Sequence, residues 1–250
     1  MGRCRVWKGT HNPHPRLMTR FFLAILALLL TVPVASAQLT VSGTSQAEAL
    51  PPLRNVDDMS HGRTQRMAVS GTNQSGGHDL MVPDGGYVVG VRLAERSDKP
   101  CFVELAWSTV DNGTHSVSYS TFNRCDGSPT NRSREYAGWN GLGDNPIAMK
   151  GLEVCQRNSN DRMKGLRVRG VRLSNTGGAT IRTRPHRRDN GQWYQPKIER
   201  TNCNDWDDMV MCPNQQVVVG VRIEGRDMGY GDRAQIQGLA PICAPLRFEG

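Results

Sequence analysis

From Gln38 to the C-terminus, apolar residues alternate with small or polar ones, and no stretch sustains the 3.6-residue spacing of a helix. The run VVGVRL at 88–93 shows the pattern: valine and leucine interleaved with polar or small positions, as in a half-buried strand. Turn chemistry separates such runs, in PDGG at Pro83, DNG at Asp111 and again at Asp189, and MGYGD at Met228. The pattern predicts an all-β chain.

The strand phrase also recurs. Met81–Arg96 and Met211–Arg226 share eight of sixteen residues, and related phrases run MKGLEV at 149–154, MKGLRV at 163–168 and VRGVRL at 168–173, with a looser IQGLAPIC at 236–243. Such repetition marks a structure built from similar units. A glycine inside a strand weakens it, so its recurrence predicts a bulge or a close approach of two backbones. The phrases pair as Gly151 with Gly165 and Gly220 with Gly238, and Gly90 has a degraded partner in CFVELAW at 101–107. Three units result, at about 78–135, 136–200 and 201–250. They are expected to enclose one core, because each sheet alone leaves an apolar face exposed. Residues 38–77 are polar and predict a lead-in, partly disordered in its first half.

One segment breaks the alternation. FFLAILALLLTVPV at 21–34 follows Arg16 and Arg20 and precedes Ala35-Ser36-Ala37. A basic flank, a short apolar run and a small-residue site predict a signal peptide over residues 1–37, cleaved before Gln38. A membrane anchor would need about 20 apolar residues, so no transmembrane anchor is expected. Met18 opens a well-proportioned signal by itself and is the alternative start. The expected location is secreted or periplasmic.

Cleavage changes the composition. Of 31 basic and 23 acidic residues, the signal region removes five basic ones, leaving 26 against 23 and a net charge near +3. The headline basicity is therefore no argument for nucleic acid, and no nucleic-acid partner is expected. Cys4 is lost as well, leaving six cysteines: Cys101, Cys125, Cys155, Cys203, Cys212 and Cys243. An even number in an exported chain reads as a disulfide framework, with 15 pairings open. No C-x-x-C is present, and no metal or other cofactor is expected.

The third unit carries Trp206, Cys212–Pro213, Gly220, Glu224, Gly231–Asp232, Gly238 and Cys243 in that order. It resembles a repeat of the vitelline membrane outer layer proteins. The resemblance implies a disulfide-stapled β-prism, three pseudo-repeated Greek-key units about a pseudo-threefold axis in one domain. Within that frame Cys212–Cys243 would close one unit, Cys101–Cys125 another, and Cys155–Cys203 would bridge the second unit to the start of the third. In the first unit Val82 stands where the third has Cys212.

Catalytic signatures are absent: no G-x-S-x-G, H-E-x-x-H, Walker loop or dinucleotide fingerprint occurs. His61, His78, His115 and His186 stand alone in polar segments and read as solvated surface groups. NDWDDM at 204–209 sets Asp205, Asp207 and Asp208 around Trp206, which suits sugar hydroxyls or, with more oxygens, calcium; the plainer reading is a core tryptophan with turn-capping acids. Glu224, Asp227 and Asp232 lie at one hairpin end and would serve a glycosidase-type acid pair, though interleaved arginines favour surface ion pairing. IRTRPHRRDNGQWYQPK at 181–197 gathers Arg182, Arg184, Arg187, Arg188 and Lys197 beside Trp193 and Tyr194. Arginine forks suit sulfate, phosphate or carboxylate, and aromatic rings stack on sugars. GWNGLG at 138–143 places Trp139 in a turn of lectin-like character, and Asn73, Asn112 and Asn131 open N-x-[ST] sequons.

The expected function is a non-enzymatic binding module for carbohydrate, with a glycan or acidic polysaccharide as partner. The candidate binding residues are Trp139, Arg182, Arg184, Arg187, Arg188, Trp193, Tyr194, Trp206, Asp207 and Asp208. A structural coat or matrix protein is the alternative, and a glycan-acting enzyme using paired carboxylates is a third reading.

Overall fold

The computed structural model describes residues 59–74, 76–109, 116–125, 131–139, 146–158, 162–174, 181–228 and 234–248. The signal segment, residues 38–58, His115, the sequon at Asn112, the 140–143 part of the tryptophan loop, and Gly231–Asp232 lie outside them. All described residues fall within one compact unit, Gln46–Gly250.

Every regular element among the described residues is a strand. Four short ones open the chain: β1 (Met59–His61), β2 (Gln65–Arg66), β3 (Ser70–Gly71) and β4 (His78–Met81). After them come β5 (Tyr87–Arg96), β6 (Lys99–Ser108), β7 (Val117–Asn123) and β8 (Asn131–Gly138). The second group is β9 (Ile147–Gln156), β10 (Met163–Ser174), β11 (Arg182–Pro185), β12 (Lys197–Glu199), β13 (Asp205–Trp206) and β14 (Val210–Met211). The long hairpin β15 (Gln216–Arg226) and β16 (Gln235–Phe248) closes the chain.

These strands form three antiparallel sheets with one plan. The first runs β7-β6-β5-β8; the second runs β11-β10-β9-β13, with β12 beside β10 and β14 beside β9; the third runs β1-β16-β15-β4, with β2 and β3 also on β16. Each has the Greek-key order in which the fourth strand returns beside the first. In the third sheet the two ends of the described chain meet: β15 and β16 supply the central hairpin, and β1 to β4 the flanks. The central strands β5, β9 and β15 touch one another pairwise, so three sheets share one core in the β-prism arrangement. Val88, Val91, Leu152, Val154, Val219 and Val221 are at most 1% exposed within it.

The sheets divide the chain differently from three consecutive blocks. Residues 59–71 of the polar lead-in pair with β16, Met81 with Gly220, and Met211 with Gly151. Each shared phrase therefore begins as the fourth strand of one sheet and ends as the first strand of the next. Three equivalent hydrogen bonds mark the crossovers: Val82 N–H to Val219 O at 3.0 Å, Cys212 N–H to Lys150 O at 2.8 Å, and Trp139 N–H to Val89 O at 3.1 Å. This explains the strand glycines. A Cβ on Gly151 would lie 2.4 Å from Val210 O and 2.6 Å from Met211 Sδ, and one on Gly220 would lie 2.6 Å from Met81 Sδ. The methionine that opens one phrase lies over the glycine of another, so only a bare backbone fits.

Disulfides join Cys101 to Cys125, Cys155 to Cys203 and Cys212 to Cys243, with Cα–Cα separations of 5.0, 5.6 and 5.6 Å. Their places differ from those expected. Cys203 lies just before β13, which pairs with β9 at Cys155 itself, so this bridge closes the second sheet. Cys212 comes after β14 at the edge of the second sheet, while Cys243 sits in β16 of the third, so this bridge ties sheet to sheet. The exchange arises from the crossover: the fourth strand precedes the phrase that names the next unit.

Candidate functional site

The arginine-rich segment 181–197 builds one structure. β11 pairs with β10 in the register Ser174 with Arg182, Leu173 with Thr183, Arg172 with Arg184 and Val171 with Pro185. The chain then forms a second, tighter hairpin. Tyr194 N–H donates to His186 O at 3.2 Å, Arg188 N–H to Gln192 O at 2.7 Å, and Gly191 N–H to Arg188 O at 2.8 Å. Gly191 has φ +79°, which a glycine adopts without steric cost. Asn190 Oδ1 accepts from Gln192 N–H at 3.1 Å and completes the turn.

Strand alternation gives this hairpin two faces. One carries Arg182, Arg184, His186, Arg188 and Tyr194, with Arg172 alongside from β10. His186 lies edge-on to Trp139 at 6.1 Å and to Tyr194 at 5.5 Å, and the Arg188 guanidinium stands 5.4 Å from the Tyr194 ring centre. Tyr194 is 40% exposed. The other face holds Trp193 between Arg169 and Arg187, at 5.5 and 5.6 Å.

The electrostatics of the first face are unbalanced. Arg172 and Arg184 are both exposed and directly opposite across the ladder, where like charges are destabilising. Among the described residues no carboxylate pairs with Arg172, Arg182, Arg184 or Arg188. Lys197, by contrast, pairs with Glu199. His186 adds no charge near neutrality, because burial and then the Arg172 charge push its pKa down. Arg172 Nε lies 3.4 Å from His186 Nδ1, so Nδ1 accepts and the ring proton sits on Nε2.

The other expected site residues lie elsewhere or serve the fold. Trp139 is 7% exposed. It takes the crossover position held by the buried Val82 and Cys212, so it offers no ring face to a ligand; its loop-like sequence context conceals a strand end. Trp206 lies against the Arg167 guanidinium at 4.1 Å and the bare Gly165. Asp207 accepts from Gly71 N–H at 2.6 Å, and the Asp208 carbonyl accepts from Ser70 Oγ at 3.4 Å. NDWDDM thus fastens the N-terminal strands to the second sheet. Among the described residues no cluster of three or more His, Cys, Asp or Glu could hold a metal.

Of the three acids expected at the hairpin end, Glu224 is spent on structure. Glu224 is 2% exposed, hydrogen-bonded by Arg222 and backed by Gly77. Arg222 also holds Asp79 at 3.1 Å; burial raises the Asp79 pKa, but hydrogen bonds from Arg66 and Arg222 outweigh it and keep the carboxyl below its ordinary range. Asp227 sits in a turn with φ +50°.

Sequence reasoning misses Arg172 and His186. A signal for His186 exists, since Arg182, Arg184, His186 and Arg188 stand at alternate positions. Arg172 requires the β10–β11 pairing, which composition does not reveal.

No family model matches the chain, and no curated protein sequence matches it. Solved structures give low-overlap likenesses. A mannose-binding lectin from champedak is 11% identical with a TM-score of 0.39, over 73% of this chain and 98% of that one. A Malaysian banana lectin is 11% identical with a TM-score of 0.32, over 74% and 99%. Calsepa lectin, solved in complex with a bisected glycan, is 11% identical with a TM-score of 0.33, over 76% and 99%. With TM-scores below 0.5, these likenesses carry no argument about the site.

Proposed function

We propose that this protein is an exported, non-enzymatic glycan-binding module whose site is the exposed face of the 182–194 hairpin. The observation that carries the reading is the pairing of an exposed aromatic ring, Tyr194, with arginines that no carboxylate among the described residues neutralises. A sugar presents an apolar ring face and a rim of hydroxyl or anionic groups, and a tyrosine flanked by arginine forks complements both. The site is a shallow polar surface on a rigid sheet edge, which suits binding. Three disulfides fit an oxidising compartment, and no described helix is long and apolar enough to cross a membrane.

Retention on a panel of neutral and acidic polysaccharides tests it. The oxidised protein is expected to bind at least one, and Tyr194→Ala to weaken that binding roughly tenfold, equivalent to about 1.4 kcal/mol. Retention by no glycan, or an alanine variant that binds as tightly as the parent, would overturn the proposal.

A further inference from the structure

We infer that the ligand of this face is a linear acidic polysaccharide lying along β11, its anionic groups seated on Arg182, Arg184 and Arg188 and on Arg172 across the ladder. The inference rests on the glycan-binding reading above and names the substrate class.

The cations form a row. Alternate residues of a strand stand ~6.6 Å apart on one face, which spaces Arg182 from Arg184 on β11, and His186 and Arg188 continue the alternation into the second hairpin. Arg172 widens the line at Arg184, its direct partner. A row of separate charges matches a chain with repeated anionic groups better than a single compact anion, which a converging cluster would hold. Planar guanidinium forks match sulfate and carboxylate oxygens in pairs.

The row is also held in place. The backbone bonds of the Arg188–Gly191 turn fix the hairpin, and Trp193, set between Arg169 and Arg187, anchors its other face. Fixed spacing lowers the ordering cost of binding. An anion between Arg172 and Arg184 would relieve the repulsion between them. Single-stranded nucleic acid would ask for aromatic platforms for successive bases, whereas Tyr194 is the one aromatic side chain exposed on this face among the described residues. The chemistry therefore favours a saccharide.

The test compares immobilised heparin, polygalacturonate, a neutral polysaccharide and a single-stranded oligonucleotide as probes of the purified, oxidised protein. Affinity for one of the acidic polysaccharides is expected to fall about six-hundredfold as salt rises tenfold, if four ionic contacts each release ~0.7 counterion. The Arg184→Gln/Arg188→Gln double variant, which keeps Arg172 and Arg182, should flatten that fall to about twenty-five-fold. Tyr194→Ala should instead weaken binding at every salt concentration and leave the slope unchanged. Melting temperatures confirm that each variant is folded, and Arg182→Gln provides an independent check on the slope. An unchanged slope in both arginine variants would overturn the inference. Salt-independent binding to the neutral polymer would overturn it while leaving the glycan reading intact. Tighter binding of the oligonucleotide than of either acidic polymer would overturn the choice of polysaccharide, and no retention on any glycan would overturn both readings.

Discussion

The two ends of β10 carry the same kind of charge and treat it in opposite ways. At its start Lys164, 1% exposed, lies between Glu95 at 3.7 Å and Asp98, while Arg162 reaches Asp98 at 3.0 Å and Arg200 reaches Glu95 at 2.9 Å. At its end Arg172 faces Arg184 and no carboxylate among the described residues. The first cluster bolts the β5–β6 turn to the second sheet, and its cations are committed to the fold. The second leaves its cations in water, where they contribute repulsion instead of cohesion. A charge that does nothing for the fold, on a hairpin the fold holds rigid, is where a ligand is to be sought.

The contrast breaks most sharply at Lys164. Removing one partner of a buried ion cluster leaves carboxylates short of a cation, which costs about 3 kcal/mol or more. Lys164→Met is therefore expected to lower stability by about that amount in urea unfolding, and to leave polysaccharide affinity unchanged. A loss below about 1 kcal/mol would mean that Arg200 and Arg162 carry the cluster without it.

Lys150 sits between the two cases. It is 7% exposed, and its ammonium is held by the carbonyls of Pro213 and Gln216, with no carboxylate partner among the described residues. Burial pushes its pKa down from 10.5 to about 8. The unfolded chain therefore holds this proton more tightly than the folded one between those values, so stability should rise with pH across that window. The full gain is on the order of 3 kcal/mol. Above about pH 10 it is opposed by Tyr87, whose pKa burial raises, so the readable window is pH 8–10. Urea titrations across it should show the rise in the parent and none in Lys150→Met. A parent curve that stays flat would place the ammonium in better solvation than the two carbonyls supply.

Much of the fold can be read from the repeated phrase, because a glycine at one place in each copy reports a constraint that does not depend on neighbours in sequence. The membership of the sheets cannot. Met81 and Met211 open the repeated phrase in sequence, yet each lies over the glycine of a different copy, and only three-dimensional closure decides that. The same limit hides Trp139, whose context of glycine and asparagine reads as a turn while its backbone repeats the crossover of Val82 and Cys212. Within the site, the charges and aromatics of 182–194 are visible as composition. Their division into two faces, and the conversion of His186 from a solitary surface group into the neutral centre of a cationic row, depend on the β10–β11 register.

The smallest effect bears most directly on the two ends of β10. If Arg172 and Arg184 repel across the ladder with nothing between them, replacing one should stabilise the free protein. Arg184→Thr removes the repulsion, retains β propensity and is expected to add about 0.2–1 kcal/mol. The gain should shrink as salt screens the pair, and an acidic polysaccharide added in excess should stabilise the parent more than the variant, because a ligand at free concentration L stabilises the folded state by RT ln(1 + L/Kd) and the parent has the lower Kd. The sign carries the meaning. A variant less stable than the parent would show Arg184 in a structural contact of its own, and the two ends of β10 would then differ only in how much of their charge is buried.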